Sequence, residues 1–280
     1  MKQIDLDKVT EEVERLCIEA NYFLDDKIMN SLETALSSEV SETGKNILEQ
    51  IIENDKIAEK EQVPMCQDTG LTVVFLEIGT EVKITGDIYK AVNEGVRRGY
   101  EKGYLRKSMV RHPLDRVNTK DNTPAVIHTK LIPESDKLKI IVAPKGGGSE
   151  NMSMVKMLKP ADGTEGVKKA VLDAVLSAGG NPCPPIIVGI GLGGSFEKAA
   201  LLAKEALLRD IDDESSDPVN RKLEEELLEL INKTGIGPMG LGGRNTALAV
   251  KVNSYPCHIA SLPLAVNINC HSARHKETEL

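Results

Sequence analysis

Aromatic residues are scarce: 3% of 280 residues, with five Tyr, three Phe and no Trp. That excludes the stacking platform of a single-strand nucleic-acid binder, and a sugar-stacking cleft with it. Positive charge is also in deficit. Thirty-five Lys and Arg stand against forty-three Asp and Glu, a net charge of −8, whereas nucleic-acid binding needs a basic face. The chain holds no run of about 18 apolar residues, so no membrane span is expected. The N-terminal MKQIDLDKVTEEVERL is charged and amphipathic, unlike a secretory leader. These features predict a soluble, cytoplasmic protein. The five cysteines, Cys17, Cys66, Cys183, Cys257 and Cys270, are odd in number and do not read as a disulfide framework. They are core residues, metal ligands or nucleophiles.

Against these deficits, 40% of the chain is hydrophobic, enough to build a core from Leu, Ile, Val, Ala and Met. The chain reads as one domain over 1–280, with a helical part at 1–60 and a mixed α/β part at 61–275. Leu6, Val9, Val13, Leu16, Cys17 and Ala20 fall at helical spacing. A second stripe follows at Ile28, Leu32, Ala35 and Leu36. A third, at Ile47, Leu48, Ile51 and Ile52, has Ser41 and Thr43 before it as candidate caps. Cys17 lies on the first stripe and reads as inert core.

From 63 the character changes. LTVVFLEIG (71–79) predicts a strand, 87–102 a helix, and AVIHTKLI (125–132) with KLKIIVA (137–143) a hairpin. KGGGSENMS (145–153) reads as a glycine loop, 164–178 as a helix, NPCPP (181–185) as a rigid turn and IIVGI (186–190) as a buried strand. Helices are expected at 195–209 and 218–232, joined by the acidic DIDDESSDP, which reads as a solvated connection. A second glycine loop, GIGPMGLGG (235–243), precedes strands at 246–252 and 260–268. No tandem repeat is present. The fold class is mixed α/β: mixed sheets packed with helices behind a helical N-terminal segment.

Gly189, Gly191 and Gly194 fit the dinucleotide-binding pattern GxGxxG. The second strand ending in an acid, which that fold needs about 20 residues on, is missing; the chain gives a helix and the acidic loop instead. Tight packing of strand on helix competes with an anion site at the helix start. Cys66, Cys183 and Cys270 lie too far apart for a local knuckle, but each ends an element beside a polar or Gly/Pro turn, where a ligand is displayed. Three thiolates suit an iron–sulfur cluster with one iron open, or a zinc site completed by His258, His271 or His275. Structural cysteines remain the alternative. Cys257 reads as a partly buried structural thiol.

Six blocks in order carry a resemblance: MCQDTG (65–70), LRKSM…PLDRVNTKDNTPAVIH (105–128), PKGGGSENMS (144–153), NPCPPIIVGIGLGG (181–194), TGIGPMGLGG…TALAV (234–250) and HIASLPLAVNINCHSARH (258–275). Together the sequence resembles the alpha subunit, or N-terminal catalytic half, of class I iron–sulfur fumarate hydratases and L-(+)-tartrate dehydratases. The resemblance implies a [4Fe–4S] cluster on Cys66, Cys183 and Cys270. It implies substrate contacts from Gln67, Arg106 and the glycines Gly146, Gly147 and Gly148, and catalytic roles for Asp68 and His258. The implied reaction is reversible hydration of a small dicarboxylate, fumarate to malate in the tricarboxylic acid cycle, with L-(+)-tartrate as the alternative substrate. Single-chain members have a second half carrying further carboxylate-binding groups and the base. This chain ends just after CHSARH, so the resemblance implies a separate beta subunit and a hetero-oligomer.

From the residues alone, Asp68 also reads as an Asx turn in QDTG, His258 as a structural histidine and Arg106 as a surface residue in a stretch shared with Arg111 and Arg116. A nucleotide-binding oxidoreductase built on GIGLGG and a zinc-stabilised assembly subunit are the competing functions.

Overall fold

The three apolar stripes become three helices in a computed structural model that describes residues 1–280. A short strand β1 (Lys2–Ile4) leads into α1 (Leu6–Tyr22), α2 (Asp26–Ser38) and α3 (Glu42–Glu61). Then come β2 (Leu71–Gly79), β3 (Val82–Ile84), α4 (Ile88–Lys102), β4 (Val126–Ile132), β5 (Leu138–Lys145), α5 (Gly147–Glu150), β6 (Met154–Leu158) and α6 (Gly163–Ala178). The chain closes with β7 (Ile186–Gly193), α7 (Phe196–Ala206), α8 (Pro218–Asn232), β8 (Ala247–Tyr255), β9 (Leu262–Asn269) and β10 (Lys276–Glu279). The mixed α/β class follows. Aspartates start the helices by accepting orphan amides: Asp5 from Asp7, Asp25 from Lys27, Asp87 from Lys90 and Asp217 from Val219 and Asn220. Ser41 takes the amide of Gly44 ahead of α3, while Thr43 lies inside that helix.

The chain forms two compact units, interleaved in sequence. The first is Met1–Leu24, Asn54–Gly147 and Arg274–Leu280; the second is Asp25–Glu53 and Gly148–Ala273. In the first unit the sheet order is β10-β5-β2-β4, with β2 antiparallel to β5 and parallel to β4. Val9, Val13, Leu16 and Cys17 of α1 pack with Val92, Val96 and Tyr100 of α4 and with Val74, Leu76, Ile140 and Val142 of the sheet. Cys17 is fully buried, as its stripe predicts, and burial pushes its thiol pKa up.

The expected hairpin of β4 and β5 does not form, because β2 lies between them. The connection crosses the end of β2: Gly79 donates to the Lys137 carbonyl, Thr80 to Ile132 and Glu81 to Ser135. A Cβ on Gly79 would sit 2.2 Å from the Ser135 oxygen, so the crossing requires glycine there. Strand propensity marks both strands but says nothing of which neighbour each will choose.

In the second unit the sheet order is β6-β9-β7-β8, with β7 parallel to β8 and antiparallel to β9. Alternation along β7 assigns its two faces. Ile186, Val188 and Ile190 pack with Val167, Val171 and Val175 of α6 and Leu223, Leu227 and Ile231 of α8. Gly189 and Gly191 face α7, where a Cβ would come within 2.3 Å of the Ala203 oxygen and 1.9 Å of the Ala199 oxygen. Gly189 and Gly191 of GIGLGG are therefore strand residues that admit a close helix, while Gly194 lies beyond the strand at φ 68°.

The acidic connection is anchored rather than merely solvated. Asp213 accepts from Arg209 and Lys251, Ser215 is buried, and Asp210 and Asp212 pair with Lys27. The buried Lys251 and Glu224 explain the difference: Glu224 accepts from Arg209 and from the amides of Val252 and Ser215.

Candidate active site

The segment Met65–Gly70 has almost no regular structure, so its backbone groups must find partners elsewhere. Met65 donates to the Asn21 carbonyl and accepts from the Asn54 amide. Arg274 donates to the Asp68 carbonyl, the buried Tyr100 hydroxyl to those of Thr69 and Gly70, and the buried Asn122 amide to Gly70. Thr69 donates to the Arg106 carbonyl, tying this segment to the loop after α4.

This scaffold gathers the candidates of the first unit. The Cys66 sulfur accepts from the Asp68 amide at 3.4 Å. Arg106 Nη1 donates to Gln67 Oε1 at 2.8 Å. Asp68 spends one carboxylate oxygen on the Gly70 amide at 3.1 Å and the other on the Gly147 amide at 2.8 Å. The Asx-turn reading of Asp68 is thus realised, and the same carboxylate clasps the glycine loop. Gly147 directs its amide at Asp68, and Gly146 lies against the same oxygen, where a Cβ would be 3.2 Å away. The loop reading of 145–153 needs amending: Lys145 is a buried strand residue and Gly147 begins the short helix α5.

In the second unit the NPCPP turn places Cys183 at φ 56°, with its amide donating to Gly180. His271, next after Cys270, donates its amide to the Cys183 carbonyl at 3.3 Å. Two of the three candidate cysteines are thereby brought to neighbouring backbone segments. Gly148 faces the Asn181 carbonyl in the same turn. His258 is exposed; its Nδ1 accepts from the Ala260 amide at 3.1 Å, which leaves the proton of the neutral ring on Nε2. His271 Nδ1 meets the Ser272 hydroxyl at 3.1 Å. Cys257 is exposed, not partly buried, because the turn 257–261 projects from the sheet; its thiol donates to the Ser261 carbonyl.

None of the five cysteines is in a disulfide. Cys66 belongs to the first unit and Cys183 and Cys270 to the second, and no three Cys, His, Asp or Glu side chains are gathered as a metal site. The donor chemistry suits an iron–sulfur cluster: the three half-exposed thiols sit at turns, and the Cys66 sulfur already takes an amide hydrogen bond of the kind that stabilises thiolate ligands. A groove of about 750 Å³ in the second unit, lined by Gly163, Lys168, Val219, Leu223, Glu226 and Leu262, holds none of the candidates. Its Lys168 is already paired with Glu165 and Glu226.

Sequence reasoning missed the supports beneath the site. Arg274 is 7% exposed, and its Nε and Nη1 have no partner besides the Asp68 contact of Nη2. Asp55 is also buried; burial pushes its carboxyl pKa up to about 6, against the pull of the Asn54 hydrogen bond and the Arg274 charge. Arg274 stands in the quoted SARH block, but nothing local marks it as buried. Glu39, a lone acid between two helices, gave no signal at all.

The family model described as fumarate hydratase (Fumerase) matches residues 10–279. A Methanocaldococcus jannaschii protein named "Putative L(+)-tartrate dehydratase subunit alpha" is 48% identical over 273 residues, covering 95% of each chain. The L(+)-tartrate dehydratase subunit alpha of Escherichia coli K12 is 32% identical over 276 residues, covering 98% of this chain and 91% of that one.

Proposed function

This chain belongs to the fumarate hydratase family, and from that premise we propose that it is the alpha subunit of a cytoplasmic hydro-lyase that adds water reversibly to fumarate. The observation that carries the reading is the clustering, within one short segment, of Cys66, the Gln67–Arg106 pair and the Asp68–Gly147 clasp. A dicarboxylate hydratase must hold two anionic ends, orient the carbons between them, and manage a poor leaving group and a weakly acidic proton.

Arg106 answers the first need. One guanidinium nitrogen is held by Gln67, and the rest of the fork is exposed to take a carboxylate in two parallel hydrogen bonds. Gln67, fixed through its oxygen, keeps its amide nitrogen as a second donor. Asp68 keeps both loops in register, so its part is orientation of the segment as much as proton handling. His258 presents Nε2–H as a hydrogen-bond donor to substrate. Gly146, Gly147 and Gly148 complete the substrate side as the close-approach residues of the loop that Asp68 clasps.

Cys66, Cys183 and Cys270 are the residues that would hold a [4Fe–4S] cluster. When bound through three thiolates, such a cluster supplies an open Lewis-acid position for the substrate hydroxyl. The base and the remaining carboxylate contacts are assigned to a beta subunit, in keeping with the "subunit alpha" in the relatives' names. Those names also favour a second reading, dehydration of L-(+)-tartrate by the same groups.

The test is anaerobic co-purification with the beta subunit and an assay of fumarate loss before and after iron–sulfide reconstitution. Turnover that needs both partner and cluster is expected. Cluster-dependent turnover of tartrate alone would transfer the assignment to the second reading. A chain that takes up neither iron nor sulfide would end the cluster reading.

A further inference from the structure

We propose that Glu39 is a positioning residue for Cys183, acting through the second glycine loop. The proposal rests on the reading of Cys183 as a cluster ligand. Glu39 follows α2 directly and is 3% exposed. Its carboxylate accepts five separate donors: the amides of Val40, Ser41, Arg244 and Asn245 and the Asn245 side chain, at 2.8 to 3.1 Å. Asn245 also donates to the Ala35 carbonyl, fastening the loop to the last turn of α2. Gly243 lies so close that a Cβ there would be 2.8 Å from Glu39 Oε1. Arg244 and Asn245, which supply the loop-side amides, directly follow GIGPMGLGG, so Glu39 fastens the C-terminal end of that loop.

The opposite side of the same loop supports the cysteine turn. The Met239 amide donates to the Pro184 carbonyl at 2.8 Å, and Met239 itself has φ 53°. Gly240 presses on Gly180, where a Cβ would be 2.5 Å from the Gly180 Cα. Gly180 in turn accepts from the Cys183 amide. Cys183 is held at φ 56°, a left-handed conformation that a non-glycine residue keeps only where its surroundings enforce it. The line from Glu39 through 239–245 to 180–184 supplies that enforcement, and every step lies within the second unit.

The test uses the full-length chain without cluster, so that it reads the turn directly. Alkylation of Cys183 by iodoacetamide is followed by mass spectrometry, relative to Cys66, alongside the thermal midpoint. Glu39→Gln keeps size but removes the charge. It is expected to raise the relative Cys183 rate about fivefold or more, by freeing the turn. Glu224→Gln is the control: it disturbs another buried carboxylate of the same unit, one bonded to Val252 and Ser215. It should lower the midpoint and leave the Cys183 ratio within about twofold of wild type. If Glu39→Gln does not fold, Gly240→Ala replaces it, pushing on Gly180 with Glu39 intact, and the same rise is expected. An unchanged ratio in a folded Glu39→Gln or Gly240→Ala chain overturns the proposal. Failure of the cluster reading is seen separately, as wild-type chain that takes up no iron or sulfide.

Discussion

Arg106 shows how much one side chain is asked to do. Its guanidinium is exposed, steadied by a single hydrogen bond from Nη1 to Gln67, and its own carbonyl is tied to Thr69. Lysine would keep the charge but lose the fork. Arg106→Lys is therefore expected to raise KM for the dicarboxylate about tenfold or more, the cost of one or two charge-assisted hydrogen bonds, with a smaller effect on kcat. Steady-state kinetics of the reconstituted complex would check this; an unaltered KM would reduce Arg106 to a structural partner of Gln67. The sequence block around Arg106 marked the residue, but only the fold gave it Gln67 as a neighbour. The same holds for Asp68. Its Asx turn was legible in QDTG, because that contact spans two residues. Its second bond, to Gly147, spans 79 residues and left no local trace.

Helices and strands were mostly legible, because their apolar periodicity is a local property. The stripe of Val9, Val13 and Leu16 is the face that α1 buries. What the pattern could not give was partner choice, as β4 and β5 demonstrate by flanking β2. GIGLGG was ambiguous for a related reason: glycine that admits a helix and glycine that admits a phosphate look alike in one dimension. Gly191→Val tests the distinction. With a Cβ forced to within 1.9 Å of the Ala199 oxygen, the variant should lose about 3 kcal/mol or more by urea unfolding, whether or not nucleotide is added. Rescue by NAD(H) would instead revive the nucleotide reading.

Glu39 makes a second case among the elements. Burial alone would raise its carboxyl pKa, but the amides of Arg244, Ser41 and Asn245 and the Asn245 side chain win and hold it at about 2, below the ordinary 4.5. A depressed carboxyl pKa adds stability that is complete above 4.5 and is lost as pH falls toward 2. The contribution is about 3 kcal/mol. Glu39→Gln should therefore be less stable than wild type at pH 7 by about that amount, and the gap should close toward pH 2. Urea midpoints at pH 7 and near pH 2 are the measurement, and a gap independent of pH would show that the charge is not what matters.

For the molecule as a whole, each unit has its own apolar core, so fold and cofactor should separate experimentally. Oxidation with chelation is expected to abolish turnover of the alpha–beta complex and leave the far-ultraviolet circular dichroism of the alpha chain nearly unchanged. Collapse of the helical signal would mean that the cluster is needed for folding. The chain without its beta subunit should show no hydration activity even when loaded.

Composition and pattern were enough to lay out most of the helices and strands, and to place three displayed cysteines in six ordered blocks. These are sums of short-range preferences, and short-range preferences are written in neighbouring residues. Which strand lies beside β2, which carboxylate fastens the end of the GIGPMGLGG loop, and what grips the back of the Cys66 loop were decided only in three dimensions. Each depends on groups far apart in the chain, whose meeting is set by the competition between loop closure and burial of the whole unit, and no single segment records the outcome of that competition.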